Sequence, residues 1–136
     1  MPNAYISGTG HYVPPRVVTN DDLVNTYGIE TSHEWIVKRT GIEARRYSEE
    51  GVGTAELGFE ASTAALESAG LEIRDIDMIV FATLSPDYCF PGSGVLLQRM
   101  FGVAEMDPPK FIPALDVRNQ CSGFLYALAT LSLIHI

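Results

Sequence analysis

The chain has 136 residues, the size of one domain or of part of a larger one, and its 46% apolar and 19% charged residues make it too apolar for a disordered chain. Nine Lys and Arg against 17 Asp and Glu leave a net charge of −8, which argues against a general nucleic-acid surface and requires any phosphate-bearing partner to meet a local basic cluster. Two cysteines without CxxC spacing suggest neither a zinc site nor a disulfide framework; with no secretory signal and no membrane-length apolar run, a soluble cytoplasmic chain is the expectation.

Ala4–Gly8 reads as a short strand ended by glycines and then by Pro14 and Pro15. Thr19 and Asp22 form a capping-box pattern ahead of Leu23, Val24 and Tyr27, which predicts a short helix to Gly28. The same pattern at Thr31 and Glu34 opens a second short helix through Trp35, Ile36 and Arg39, stopped by Gly41. Thr54–Ala69 is the clearest amphipathic stretch, with Glu56, Glu60, Thr63 and Glu67 on one face and Gly70 at its close. Asp77–Thr83 is an apolar run of strand length without alternation, as expected of a central parallel strand buried on both faces. A helix over Gly94–Phe101 and a second run, Phe111–Val117, lead to Cys121 and a last helix. This order implies a layered α/β fold on a mostly parallel sheet.

The closing stretch, Phe124–Ile136, is apolar on every helical face apart from Tyr126, Thr130, Ser132 and His135. Such a helix belongs in the core of a large protein, so the chain is expected to be cut off, or the helix to be covered in a homodimer.

Three groups of residues can carry chemistry. Cys121 follows a buried strand, stands beside Ser122 and Gly123, and is expected to start the last helix, where free N–H groups and the helix dipole favour a thiolate and an oxyanion. The alternative is a small buried hydrophobe, and Cys89, between Tyr88 and Phe90 in a proline-flanked loop, fits that description better. Trp35 and Arg39, one helical turn apart, can grip a flat heteroaromatic or simply form a cation–π pair. Lys38, Arg39, Arg45 and Arg46 concentrate positive charge suited to phosphates. Phe90, before Pro91, can line an apolar pocket or only pack. Gly8 and Gly10 lack the third glycine of a dinucleotide fingerprint, and His11, His33 and His135 are scattered with no partner that marks a base.

Several segments together resemble the β-ketoacyl-acyl-carrier-protein synthase III family of the thiolase superfamily: ISGTGHYVPPRVVTNDDL, TSHEWIVKRTGIEARR, GFEASTAALESAG, DMIVFATLSPD, FPGSG and DVRNQCSGFLYAL. The resemblance implies a thiolase-like layered α-β-α fold, with residues 1–136 its N-terminal domain and the C-terminal end truncated. It implies that Cys121 accepts an acyl group from acyl-CoA and that malonyl-acyl carrier protein then condenses with it by decarboxylation, in fatty-acid biosynthesis. It further implies that Trp35 and Arg39 hold the adenine of coenzyme A, with Thr31 at the mouth of that site. Phe90 would shape the acyl pocket across a homodimer interface. No metal and no cofactor beyond the thioester substrate are implied, nor any nucleic-acid or membrane partner. The family's catalytic His and Asn lie in its C-terminal half, so this chain alone is expected to be inactive. Arg118, Asn119 and Gln120 stand where many members carry small residues, which leaves acyl specificity open. Leu131–Ile136 departs from the polar continuation of the family and reads as a foreign end. Rival readings are a related condensing enzyme of polyketide-starter, alkylquinolone or head-to-head type, or a non-catalytic module that binds coenzyme A or dimerises.

Overall fold

The structure is a computed structural model that describes residues 4–134. These residues form two compact units, Val13–Val52 and the segment up to Tyr12 together with Gly53 onward.

In the Val13–Val52 unit, β1 (Arg16–Thr19) pairs antiparallel with β2 (Ala44–Tyr47), Val18 standing opposite Arg45, and between them lie α1 (Asn20–Asn25) and α2 (His33–Thr40). Helix α1 starts as its sequence predicts: the Asp22 amide donates to the Thr19 hydroxyl at 3.1 Å, and the Thr19 amide donates to the Asp22 carboxylate at 2.8 Å. Helix α2 is capped one residue later than expected, by Ser32, whose hydroxyl accepts from the Trp35 amide at 3.1 Å. Its last residue is followed by Gly41 in the left-handed conformation, as predicted. The antiparallel pair was not anticipated, because β1 and β2 are four residues each and β2, Ala-Arg-Arg-Tyr, carries no apolar period. Val18 and Ile36 are buried, and so is Asn20, fully. The Asn20 amide group donates to the Ile42 carbonyl at 2.8 Å, and its oxygen accepts from Arg45 at 2.8 Å, so the buried polar group, on α1, is satisfied from β2 and from the turn between α2 and β2.

In the other unit, α3 (Thr54–Ala69) matches its predicted bounds and ends at Gly70. Strands β3 (Ile79–Ala82) and β4 (Ala114–Val117) are the expected parallel pair, Ile79 opposite Ala114 and Ala82 opposite Val117. Between them runs α4 (Ser93–Met100), and α5 (Gly123–Ile134) follows β4. Two short 3-10 turns, Ile73–Asp75 and Val103–Glu105, complete the connections. Ile79, Leu97, Val103 and Ile112 form the core, with Phe59, Phe81 and Phe101 packed against it.

One expectation needs correction. Ala4–Gly8 is not a strand, because no neighbouring backbone among the described residues offers it a ladder; it lies instead against α3, so closely that a Cβ at Gly8 or Gly10 would run into the helix backbone. Helix α5 packs on β3 and β4 with Ala127 buried, while Phe124, Leu125, Tyr126 and Leu133 remain more than half exposed, which agrees with the expectation that this chain does not itself supply the helix's cover. Of the stretch expected to be foreign, Leu131–Ile134 continues α5, while His135 and Ile136 lie outside the described residues.

Candidate functional site

Cys121 is a free, exposed cysteine in the turn between β4 and α5. The Tyr126 amide donates to the Ser122 carbonyl at 3.1 Å, so the helical ladder begins at Ser122 and the cysteine stands one residue ahead of it, not on the first turn as expected. The Gly123 amide closes the turn on the Gln120 carbonyl at 3.2 Å and is therefore engaged in the backbone. Cys89 is also exposed, so its expected packing role is not what the structure shows.

The loop of Tyr88, Cys89 and Phe90 is held by side chains that sequence reasoning passed over. The Asp116 carboxylate, on β4, accepts the amides of Ser93 at 2.8 Å and Gly94 at 2.9 Å and so caps α4. At Gly92, where φ is +106°, a Cβ would come within 2.5 Å of that carboxylate, which explains the glycines of the FPGSG loop by close approach. Ser93 is fully buried, and its hydroxyl donates to Asp87 at 2.7 Å. Asp87 in turn accepts the Thr54 amide at 2.6 Å and the Ala55 amide at 3.0 Å, capping α3. Burial pushes the Asp87 carboxyl up, but the hydrogen bonds from Ser93, Thr54, Ala55 and its own backbone outweigh this and hold it below the usual carboxylate range. Arg118, just past β4, donates to the Cys89 carbonyl at 2.8 Å and to that of Tyr88 at 3.4 Å. The only sequence signal for this network is that Asp116 is the one charge in an apolar strand. Phe90 itself is 90% exposed.

In the Val13–Val52 unit, Trp35 is half exposed and the Arg39 guanidinium lies 4.6 Å from the centre of its ring. The two are in cation–π contact, and a flat ring between them would need roughly 7 Å, twice a van der Waals contact of about 3.5 Å. Thr31 is one residue ahead of the cap, and its hydroxyl is buried with no hydrogen-bond partner among the described residues. The basic cluster is thinner than its sequence suggests. Arg45 is committed to Asn20, and Arg46 to the carbonyls of Pro14 at 3.2 Å and Pro15 at 3.1 Å, which leaves Lys38 and Arg39 for an outside anion.

A cleft of about 530 Å³ runs along α3, β3 and α5, lined by residues such as Gly58, Ala61, Ala65, Phe81, Phe124 and Leu128. Neither Cys121 nor Phe90 lines it, and its walls are small or apolar, so it offers space but no reacting group. Among the described residues no group of His, Cys, Asp and Glu is arranged to hold a metal, and no helix is long and apolar enough to cross a membrane.

No protein-family model matches the chain. It is 45% identical over 130 residues to the β-ketoacyl-[acyl-carrier-protein] synthase III of Laribacter hongkongensis, which covers 96% of this chain and 38% of that relative. Among solved structures, the 3-oxoacyl-[acyl-carrier-protein] synthase III of Aquifex aeolicus superposes with a TM-score of 0.82 at 37% identity, over 96% of this chain and 39% of that one. A priming β-ketosynthase from a polyketide biosynthetic pathway superposes with a TM-score of 0.81 at 31% identity, over 93% of this chain and 36% of that one. The chain thus spans under two fifths of the length of these relatives.

Proposed function

We infer the activity from one premise: over the matched, N-terminal part, the chain belongs to the β-ketoacyl-[acyl-carrier-protein] synthase III family and has its thiolase-like α/β fold. The whole protein is then an acyltransferase that condenses acyl-CoA with malonyl-acyl carrier protein. The observation that carries this is the 45% identity over 130 residues, a span that includes both the EWIVKRTGI and the CSGF blocks.

In the proposed reaction the Cys121 thiolate attacks the thioester carbonyl, a bond forms from its sulfur to the acyl carbon, and the bond to the coenzyme A sulfur breaks. Coenzyme A leaves and takes up a proton. Malonyl-acyl carrier protein then loses carbon dioxide, and the carbanion so formed attacks the acyl-cysteine, giving a β-ketoacyl thioester and returning the thiolate. The exposure of Cys121 supports the first step, since a nucleophile must be reached.

Trp35, Arg39 and Thr31 are proposed to hold coenzyme A. Their support is an exposed indole and a nearby guanidinium; Thr31, whose hydroxyl is buried with no partner among the described residues, is included on the resemblance alone. With the Arg39 guanidinium already 4.6 Å from the centre of the Trp35 ring, the adenine is proposed to stack on the outer face of the pair, not between the two. Phe90, exposed on a held loop, is proposed to shape the acyl pocket at a homodimer interface. Two free cysteines suit a reducing compartment, and the cytoplasm is the proposed location. The resemblance to a priming β-ketosynthase supports a second reading, loading of a starter unit for a different chain, which product analysis with malonyl thioesters against other acceptors separates.

The test is intact-mass spectrometry after incubation with acetyl-CoA and longer acyl-CoAs, on this chain and on a version carrying its native downstream coding sequence. An acyl adduct on Cys121 in the extended protein is the expected result; a folded extended protein without any adduct would leave a coenzyme A-binding or structural relative as the better account.

A further inference from the structure

We propose that Arg118 is a positioning residue that sets acyl-chain selectivity by pinning the Phe90 loop to the segment that delivers Cys121. The inference rests on the functional reading above, in which Phe90 shapes the acyl pocket and Cys121 carries the acyl group.

Besides the Asp87–Ser93 bond across its base, the loop is fastened from the stretch around the end of β4 at two points. Asp116 holds its far end through the amides of Ser93 and Gly94, at 2.8 and 2.9 Å. Arg118, two residues on, holds its near end through the carbonyls of Cys89 and Tyr88, at 2.8 and 3.4 Å. Phe90 lies between these points. Its ring is 90% exposed and packs on little that would orient it, so the backbone anchors decide where it stands. Cys121 follows Arg118 by three residues in the same connection. The guanidinium, with the Asp116 carboxylate, therefore fixes where the Phe90 loop stands relative to the chain past β4, and so where Phe90 is presented to the proposed interface.

Both bonds leave one guanidinium nitrogen, Nη2, whose two hydrogens serve the two carbonyls with the help of the positive charge. A lysine ammonium keeps the charge but carries it as a point on a flexible stem, so it holds the same carbonyls less rigidly. The two acceptors are backbone carbonyls, so the tie is independent of which side chains occupy Tyr88 and Cys89.

The experiment compares unsubstituted protein, Arg118→Ala and Arg118→Lys, each carrying the native downstream sequence, by kcat/KM for acetyl-CoA and for longer acyl-CoAs and by hydrogen exchange at the amides of Tyr88, Cys89, Phe90 and Gly92. Arg118→Ala is expected to change the ratio of long-chain to short-chain kcat/KM by about tenfold and to raise exchange in the loop, with Arg118→Lys in between. An unsubstituted protein that is never acylated at Cys121 would overturn the functional reading. Acylation with an unchanged ratio in Arg118→Ala, whether exchange rises or not, would overturn the role of Arg118. So would an equal loss for every chain length together with a lowered Tm, since that describes a merely structural residue.

Discussion

Within Val13–Val52 the buried polar groups find one another, apart from the Thr31 hydroxyl. Asn20, fully buried, is satisfied by Arg45 and the Ile42 carbonyl, Arg46 is spent on two proline carbonyls, and each helix is capped by a hydroxyl from the residue before it. The unit beginning at Gly53 is different in kind: its small core is apolar, and it leaves Phe90, Phe124 and Leu125 exposed at 90%, 67% and 65% together with both cysteines. Polar groups near one another in sequence can be satisfied by directional bonds at short range, but an apolar helix is satisfied only by area. The residues proposed for acyl transfer sit in the unit with the apolar core, whereas the proposed coenzyme A contacts sit in the unit held by directional polar bonds, and both units leave large apolar side chains exposed.

The sharpest way to test that division is at the cysteines. Both are free and exposed, so accessibility does not distinguish them. If position at the β4–α5 turn is what matters, Cys121→Ser abolishes acylation, a loss of at least about a thousandfold for removal of a covalent nucleophile, while Cys89→Ser leaves it intact. Intact-mass analysis of the extended protein reads this directly, and equal loss in the two variants would remove the assignment.

The Val13–Val52 unit is broken most directly at Asn20. Asn20→Ala leaves Nη2 of Arg45 and the Ile42 carbonyl without their Asn20 partner, while Nη1 keeps the Val18 carbonyl, and a loss of about 2–4 kcal/mol is expected. Hydrogen exchange should show faster opening of residues 13–52 with little change in the β3–β4 core; equal loosening of both would show that the two units do not have separate stabilities. A smaller effect is expected from Trp35→Ala with Arg39→Ala, which leaves the buried face of α2 untouched because Ile36 supplies it. Coenzyme A binding should weaken by about 1–3 kcal/mol, the range for stacking and paired contacts, in a calorimetric titration. Unchanged affinity would reduce the pair to the cation–π contact seen here.

Legibility from sequence follows the same division. The Thr19–Asp22 box and the α3 bounds could be read because their information lies within a few residues. The second cap was misplaced by one because Thr31 and Ser32 are both hydroxyls, and which one turns to the helix depends on packing; Thr31 turns inward. Ala4–Gly8 has the composition of a strand, but strand formation is a property of pairs, and its neighbour is a helix. Cys121 was distinguishable from Cys89 by its small neighbours and the helix behind it, yet only the resemblance raised it above a small buried hydrophobe. The Asp87–Ser93–Asp116 network left almost no trace, since its bonds join residues up to 33 positions apart.

That network gives the smallest expected effect and the one that compares the units on equal terms, because each holds a carboxylate kept below its ordinary range. Asp22 owes this to the hydroxyl and amide of Thr19. Asp87 owes it to hydrogen bonds that outweigh its burial. In both, the folded state binds the proton less readily than the unfolded chain, so the stabilisation is complete above the ordinary carboxylate value of 3.8 and is lost as pH falls through the lower, folded value. Asp22 is exposed and its box joins neighbours three residues apart, so its loss only frays α1. Asp87 joins the start of α3 to the start of α4, so its protonation loosens two helices at once. Asp87→Asn should cost about 1 kcal/mol near neutral pH, the worth of a helix cap, and should flatten the acid limb of the Tm-against-pH curve below about pH 4. Asp22→Asn should leave that limb nearly as steep as before. If instead Asp22→Asn flattens it more, the acid sensitivity belongs to the Val13–Val52 unit, and the bond between α3 and α4 through Asp87 contributes little to holding the Phe90 loop.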